Sequence, residues 1–462
     1  MDVVTLIDFG STFTKSTVIS LKDREVLFTF RTPSTVHVDA CIGLHHCLDA
    51  IEHKLGSAVL ASSYTLASSS AAGGLRMIVV GLTDSLSMMA GKNAAYGAGA
   101  KVIKAYSGKL TKTDLDEIYA IRPEIILLCG GYEGGNSSWV LDNALALSRY
   151  IGIDAPVVYA GNSAVRDEIR LLFNQWQQPC MIADNIIPSI HELNITSTVA
   201  AVREIFMKRI THMKGFDSVT AYVGNIVMPT PAAVLEGVKL LARGTDSFPG
   251  WKQIMLVDIG GATTDIHTIA PQEAMSGIHV VGSPEPEAKR TVEGDIGVRE
   301  SINSLMEAAD IKRMTHISGL SEDRLYQCRE RRLADHDFVA VTPEERNFEQ
   351  AAAMEAVRVS ARRHAGRLYS GLAGTAQTIQ KGKNVCHIKA IIGTGGPIIG
   401  SADPKRILQQ ALRLPSESDV LLPQQAAFYL DTSYIFYAAG LLSRLDKEAA
   451  FEILQQSLIP LP

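Results

Sequence analysis

Cysteine is scarce in this chain: six residues are scattered along 462. So few in a chain of this length do not make a disulfide framework and fit a reducing compartment. Basic charge is not in excess either. The formal net charge is −5, which argues against a nucleic-acid binder, since such a protein would show a basic face. No apolar run approaches the roughly 18 residues of a membrane span. The opening MDVVTLIDFG has no basic n-region or cleavage site and reads directly as a strand. No signal peptide is expected, and the chain is placed in the cytoplasm. With 46% hydrophobic and 20% charged residues, it reads as a globular α/β protein of two or three domains.

What is present is a repeat. Val3–Ser20 reads VVTLIDFGSTFTKSTVIS and Ile254–Ala270 reads IMLVDIGGATTDIHTIA. Each runs from an apolar strand into Asp-x-Gly, passes small hydroxyl-rich residues and returns to β-branched alternation. Asp8 and Asp258 lie 250 positions apart, a domain-scale repeat rather than a solenoid period. In Rossmann and Walker motifs the glycines open into a helix. Here Thr12, Phe13, Thr14, Thr17, Val18 and Ile19 carry strand propensity, so the turn returns as a hairpin. Gly10, Gly260 and Gly261 can take positive φ, which would let successive backbone N–H groups point inward as an anion nest. Two facing hairpins of this kind would hold a triphosphate from both sides. Asp8 and Asp258 would supply carboxylates for a hydrated Mg²⁺. Ser11, Thr12, Ala262, Thr263 and Thr264 line the turns and can donate to phosphates through backbone or hydroxyl, and Lys15 could pair with phosphate oxygens as a point charge.

A third element, His387–Gly400, reads HIKAIIGTGGPIIG. It is a short buried strand ending in Gly393, Gly395, Gly396 and Pro397. Glycines there would let the backbone lie flat against an adenine and ribose.

With these three elements in order, the chain resembles the actin / Hsp70 / sugar-kinase superfamily. In its terms, Asp8–Lys15 is similar to the phosphate-1 motif, Asp258–Asp265 to the phosphate-2 motif and Gly393–Pro397 to the adenosine motif. The resemblance implies duplicated actin-like, ribonuclease H-like domains with ATP in an interdomain cleft. The stretches Ala67–Leu82, Ile125–Asn136, Met228–Leu241 and Arg290–Arg299 resemble the glutamate mutase accessory family called MutL or GlmL, unrelated to the mismatch-repair protein of the same name. That resemblance covers nearly the whole chain. It implies an ATPase that serves an adenosylcobalamin-dependent mutase by exchanging damaged cofactor.

From Leu75 to Asp184, strand-like runs alternate with amphipathic stretches. The runs are Met77–Gly81, Val102–Ala105, Ile125–Cys129, Val157–Ala160 and Cys180–Ala183. In Ser163–Trp176, residues Val165, Ile169, Leu172, Phe173 and Trp176 share one helical face, with Asn162 or Ser163 as N-cap. Short runs at this spacing indicate βα units on a parallel sheet, so a flavodoxin-like domain is inserted after the first hairpin. Its order of elements resembles the cobalamin-binding domains of mutases. It lacks their Asp-x-His-x-x-Gly motif, so no cobalamin held through a lower histidine is expected. Either the insertion mimics the mutase's cobalamin-binding subunit or it is a generic stabilising domain.

The expected divisions are 1–66 and 185–250 for the first lobe, 67–184 for the insertion, 251–432 for the second lobe and 433–462 for a C-terminal helix returning to the first. The helix-forming stretch His316–Arg367 is expected to cap the second lobe. Glu293 and Asp295 would suit a position near the nucleotide, with helix capping by Asp295 as the alternative. Asp265 could serve the hairpin's own amides. The catalytic base stays open among Asp184, Glu192 and Glu236. Cys41, His45, His46 and Cys47 suggest metal ligands, but Val38, Cys41, Ile42, His45, Leu48, Ile51 and Leu55 fit one stripe of a buried helix. The Gly130–Gly135 cluster lacks the Gly-Lys-Ser/Thr of a Walker loop and reads as a βα turn. Three functions remain in play: a mutase-reactivating ATPase, a small-molecule kinase and an actin-like scaffold.

Overall fold

The computed structural model describes residues 2–10, 12–36, 38–70, 75–190, 192–210, 216–224, 226–335, 338–370 and 378–462. The chain divides into two compact units. One holds Met1–Gly237, Gly282–Pro286 and Phe436–Ile453; the other holds Val238–Val281, Glu287–Ile435 and Leu454–Pro462.

The first unit opens with β1 (Val3–Phe9), β2 (Phe13–Ser20), β3 (Glu25–Pro33) and β4 (Tyr64–Ser69). The insertion supplies β5 (Arg76–Gly81), β6 (Lys101–Ser107), β7 (Ile125–Gly130), β8 (Val157–Gly161) and β9 (Cys180–Ile182), and β10 (Ile226–Pro229) follows. The first sheet has the order β10-β4-β1-β2-β3. Strand β2 runs antiparallel to both neighbours, whereas β1, β4 and β10 are parallel. This is the ribonuclease H-like arrangement. It arises because a tight hairpin can join only antiparallel strands, and the return to a parallel strand needs a long crossover.

The insertion is a second, all-parallel sheet of order β6-β5-β7-β8-β9. Counted along the insertion this is 2-1-3-4-5, the flavodoxin-like order. Each strand matches its expected run to within a few residues. Both faces are covered, as a parallel sheet requires: Met77 and Val79 belong to one core, Ile78 and Val80 to another.

Two helix faces differ from expectation. In the helix Ala40–Leu55 the buried residues are Ala40, Gly43, Leu44, Cys47, Leu48 and Ile51, while Val38 and Ile42 are exposed. The stripe is rotated because small residues allow the closest approach to the sheet: a Cβ on Gly43 would lie 2.7 Å from Thr14 Oγ1. His45 and His46 are exposed and Cys47 is buried. Among the described residues no group of three or more His, Cys, Asp or Glu is arranged to hold a metal. In the helix Arg166–Gln175, Ile169 and Phe173 are buried, but Trp176 sits at the C-cap, 48% exposed. Asn162 caps the preceding turn through Ala164 N.

The second unit contains β11 (Ile254–Ile259), β12 (Thr264–Ile269), β13 (His279–Val281), β14 (Ala288–Glu293), β15 (Arg367–Tyr369), β16 (Ile379–Lys381), β17 (Ala390–Thr394), β18 (Ala427–Asp431) and β19 (Leu458–Leu461). Its main sheet, β14-β12-β11-β17-β18-β19, repeats the first sheet's topology over five strands and adds β19 at the edge. The fold is thus a duplicated actin-like α/β core with a flavodoxin-like insertion. The charge-rich stretch forms helices Ile311–Ser318, Glu322–Ala334 and Pro343–His364. Thr342 caps the last of these, with Pro343 at its first position and Glu344 and Glu345 in its first turn, three features that each favour a helix start. No described helix is long and apolar enough to cross a membrane.

Candidate functional site

Asp8 sits next to last in β1, only 1% exposed. Across β2 it faces Lys15, and across β4 it faces Ser68. Ser68 Oγ donates to Asp8 Oδ1 at 3.2 Å. Thr230, which opens the helix Thr230–Arg243 directly after β10, donates its hydroxyl to the same oxygen. Lys15 Nζ lies 3.6 Å from Oδ2. Four segments therefore converge on one carboxylate. Burial pushes the Asp8 carboxyl above its ordinary range, and Lys15, Thr230 and Ser68 oppose that shift. A buried charge without such partners would be too costly to keep.

The second sheet repeats the geometry with different chemistry. Asp258, next to last in β11, faces Asp265 on β12 and Thr394 on β17. Asp265 takes the Arg290 guanidinium at 2.6 Å and the Thr263 hydroxyl at 3.2 Å rather than the hairpin's amides. Thr394 donates to Asp431 Oδ2 at 3.3 Å.

The turns themselves correct the expectation of a glycine nest. Gly10, Gly260 and Gly261 do not take positive φ. Gly10 N donates to Phe13 O at 3.0 Å and Gly260 N to Thr263 O at 2.8 Å, so both amides close their own hairpins. Glycine is needed at position 10 because a Cβ would lie 2.6 Å from that same carbonyl. Ser11 lies outside the described residues, and Thr12 is exposed. Thr263 and Ala262 are partly exposed at the second tip. Thr264 is fully buried and gives its hydroxyl to Ile296 O at 2.8 Å, which turns it away from the turn's open side. The loop after β14 backs this tip: Arg299 N donates to Gly261 O and Ser301 Oγ to Ala262 O.

Glycines of the third element divide in role. A Cβ on Gly393 would meet Ile398 and Leu408, and one on Gly395 (φ 92°) would lie 2.3 Å from Ile259 O and 2.7 Å from Asp258 Oδ1. These two make room for the protein's own core and for the β11 strand end, not for a ligand. Gly396 is the exposed one, with only the Tyr434 hydroxyl near its Cβ position, at 3.9 Å. Pro397 follows it in the first turn of the short helix Gly396–Ile399.

Glu293 and Asp295 share Arg363, at 2.8 and 2.7 Å, and the next helix, Ile302–Ala308, has Ser301 at its N-cap, so Asp295 is not a helix cap. Burial raises the Glu293 carboxyl above its usual range, against the pull of Arg363. The catalytic base stays open among three carboxylates. Glu236 pairs with Arg203, Glu192 accepts from Ser189, and Asp184 is exposed in the insertion. Sequence reasoning missed Ser68 and Thr230. The signal was a small hydroxyl at the C-terminal end of an apolar strand, ASS in one case and MPT in the other.

The family model described as MutL protein matches residues 4–458. The chain belongs to the MutL family. Protein MutL of Clostridium tetanomorphum is 36% identical over 461 residues, covering 99% of this chain and 100% of that one. Among solved structures, nucleotide-free acetone carboxylase gives a TM-score of 0.40 at 13% identity, covering 96% of this MutL-family chain and 70% of the carboxylase. Gluconate kinase from Lactobacillus acidophilus gives 0.37 at 11% identity, covering 100% and 92%.

Proposed function

We propose that this MutL-family chain is an ATP-dependent reactivating factor for an adenosylcobalamin-dependent mutase, glutamate mutase foremost, and that it binds ATP with Mg²⁺ and hydrolyses it slowly. The observation that carries the nucleotide half is the buried Asp8 carboxylate, fixed by Ser68, Thr230 and Lys15 at converging strand ends and matched in register by Asp258. A buried carboxylate kept by two hydroxyls and one lysine costs stability, so a functional role is the economical reading.

The residues fit the group. Carboxylate and hydroxyl oxygens are the hard donors Mg²⁺ prefers, and one carboxylate per strand end suits an ion that keeps most of its waters. Asp8 would hold such waters and orient the attacking one, and Asp258 would offer the same chemistry at its own strand end. Thr263 and the backbone of Ala262 would meet phosphate oxygens, and the exposed Gly396 would lie against the nucleoside. Bound Mg²⁺ would supply charge neutralisation at the phosphates. Family membership supports the mutase half. Direct contact with cobalamin is not part of the proposal.

The test is recovery of cobalamin-inactivated glutamate mutase on adding this protein, ATP, Mg²⁺ and fresh adenosylcobalamin, with Asp8→Ala beside it. Recovery that needs ATP and is lost in the variant is expected. ATP binding without recovery would overturn the reactivating role. In that case, phosphorylation of a small molecule without the mutase would point to a kinase, and ATP-dependent sedimentation to a scaffold.

A further inference from the structure

In a sheet of order 2-1-3-4-5, ligands bind outside the carboxyl ends of the strands at the switch point, between the first and third strands. In the insertion that place lies beyond Gly81 of β5 and Gly130 of β7. Here the protein fills it with its own residues. Leu82 leans over Gly130, where a Cβ would come within 2.5 Å of its Cγ. The chain then winds through a π-helical turn, Asp84–Met88, a rare conformation that is frequent at functional sites. Ser87 Oγ accepts from the amides of Leu82 and Thr83, which locks the turn.

Onto this turn docks a segment from far along the sequence. Gly282–Pro286, reading GSPEP, is counted with the first unit, although the chain on either side of it belongs to the second. Ser283 N donates to Ser85 O at 2.9 Å, and Asn93 Nδ2 donates to Glu285 at 3.4 Å. Ser283 and Glu285 are each 6% exposed, whereas the flanking Val281 and Glu287 are exposed. Burial thus begins and ends with the strap. Two prolines stiffen it, which lowers the entropy lost on docking. Its C-terminal flank continues as β14, which pairs with β12 up to Glu293 opposite Thr264, beside the second hairpin's turn.

From this placement we infer that Gly282–Pro286 is an intramolecular strap, docked on the turn that fills the insertion's ligand position, and that it transmits changes at the β11–β12 hairpin to the insertion. The inference rests on the nucleotide reading for its trigger, but not for the docked strap itself. A shift of the β12–β14 pair on phosphate binding would pull directly on Pro286, and the stiff strap would pass the displacement to Ser85 and the turn below it. The insertion's outer surface would then report the state of the hairpin.

The experiment is hydrogen exchange on the full-length protein, read at Leu82–Asn93. The variant Ser283→Pro/Glu285→Ala removes the donor and the buried carboxylate. Exchange there should rise about tenfold without nucleotide, while β7 and β11 keep wild-type protection as the folding control. Unchanged exchange would overturn the docked strap. In wild type, ATP·Mg should change exchange at the same amides by roughly threefold or more, and a Ser85→Cys/Ser283→Cys disulfide should abolish that response. Equilibrium dialysis with labelled ATP is run on the same samples. ATP bound with no change at Leu82–Asn93 would overturn the coupling and leave the nucleotide reading standing. No ATP bound would overturn the nucleotide reading, and the coupling with it.

Discussion

The hydroxyl of Thr230 donates to the carboxylate of Asp8, although 222 residues separate them. Between them in sequence lies the entire insertion, and the pairing of β4 with β1 and β10 closes the distance. A hydrogen bond to a charged group is worth about 1.5–3 kcal/mol. Thr230→Val keeps the shape and removes the donor, so ATP hydrolysis should fall roughly 10- to 100-fold. Steady-state kinetics check this, with the loss expected in kcat and little change in KM.

Asp8→Asn should separate stability from activity. Burial holds the Asp8 carboxyl above its unfolded value, so the folded state favours the protonated form. Its ionisation at neutral pH therefore opposes folding, and that cost is relieved as pH falls through the folded value. An amide removes the cost outright. Hydrolysis should be lost while the melting temperature holds or rises by about 2 °C, measured by calorimetry beside Asp8→Ala.

Acid should destabilise the second unit through two histidines. His364 bonds Thr268 and Thr291 at 2.8 Å each. Burial, then Lys289, Lys383 and His267, hold its imidazole well below the ordinary value, and burial with Arg290 does the same for His267. Both are neutral when folded and protonate on unfolding below about pH 6.5. The unfolded state then binds more protons, so stability is full above that pH and is lost as pH falls, by about 1.4 kcal/mol per unit for each histidine. Melts from pH 8 to 5 should show the decline, and His267→Gln should make it shallower.

Arg332 is fully buried over the Phe348 ring, 4.4 Å from its centroid, and bonds Glu345 at 2.7 Å. Arg332→Met strands a nearly inaccessible Glu345, leaving it only the half-exposed Arg331. Breaking a buried pair in this way costs about 3–5 kcal/mol. The urea midpoint of the second unit should drop accordingly, and Arg332→Lys should not restore it, because a lysine lacks the planar fork and the stacking face.

How much of this was legible beforehand depended on distance along the chain. The two Asp-x-Gly hairpins and the strands of the insertion are local patterns of β-branched runs and turns, and they emerged where the alternation placed them. The ring around Asp8 did not. Ser68 and Thr230 are ordinary hydroxyl residues until strand pairing brings them to one carboxylate. Glycine roles are hidden in the sequence for a related reason. Gly10 and Gly395 are required by nearby carbonyls, Phe13 O and Ile259 O, and neither approach can be seen from composition. The buried stripe on Ala40–Leu55 is rotated from the apolar one because Gly43 packs closely on Thr14, an approach that residue size alone does not reveal.

The two hairpins have one further consequence. Their backbones match, but their cross-strand partners do not: Asp8 faces a lysine, while Asp258 faces an aspartate that Arg290 engages. Transplanting either hairpin onto the other strand pair would therefore carry the wrong sign of charge into its new surroundings. The scaffold is symmetric where the chemistry is not, so the halves are not interchangeable, and damage to one copy cannot be covered by the other.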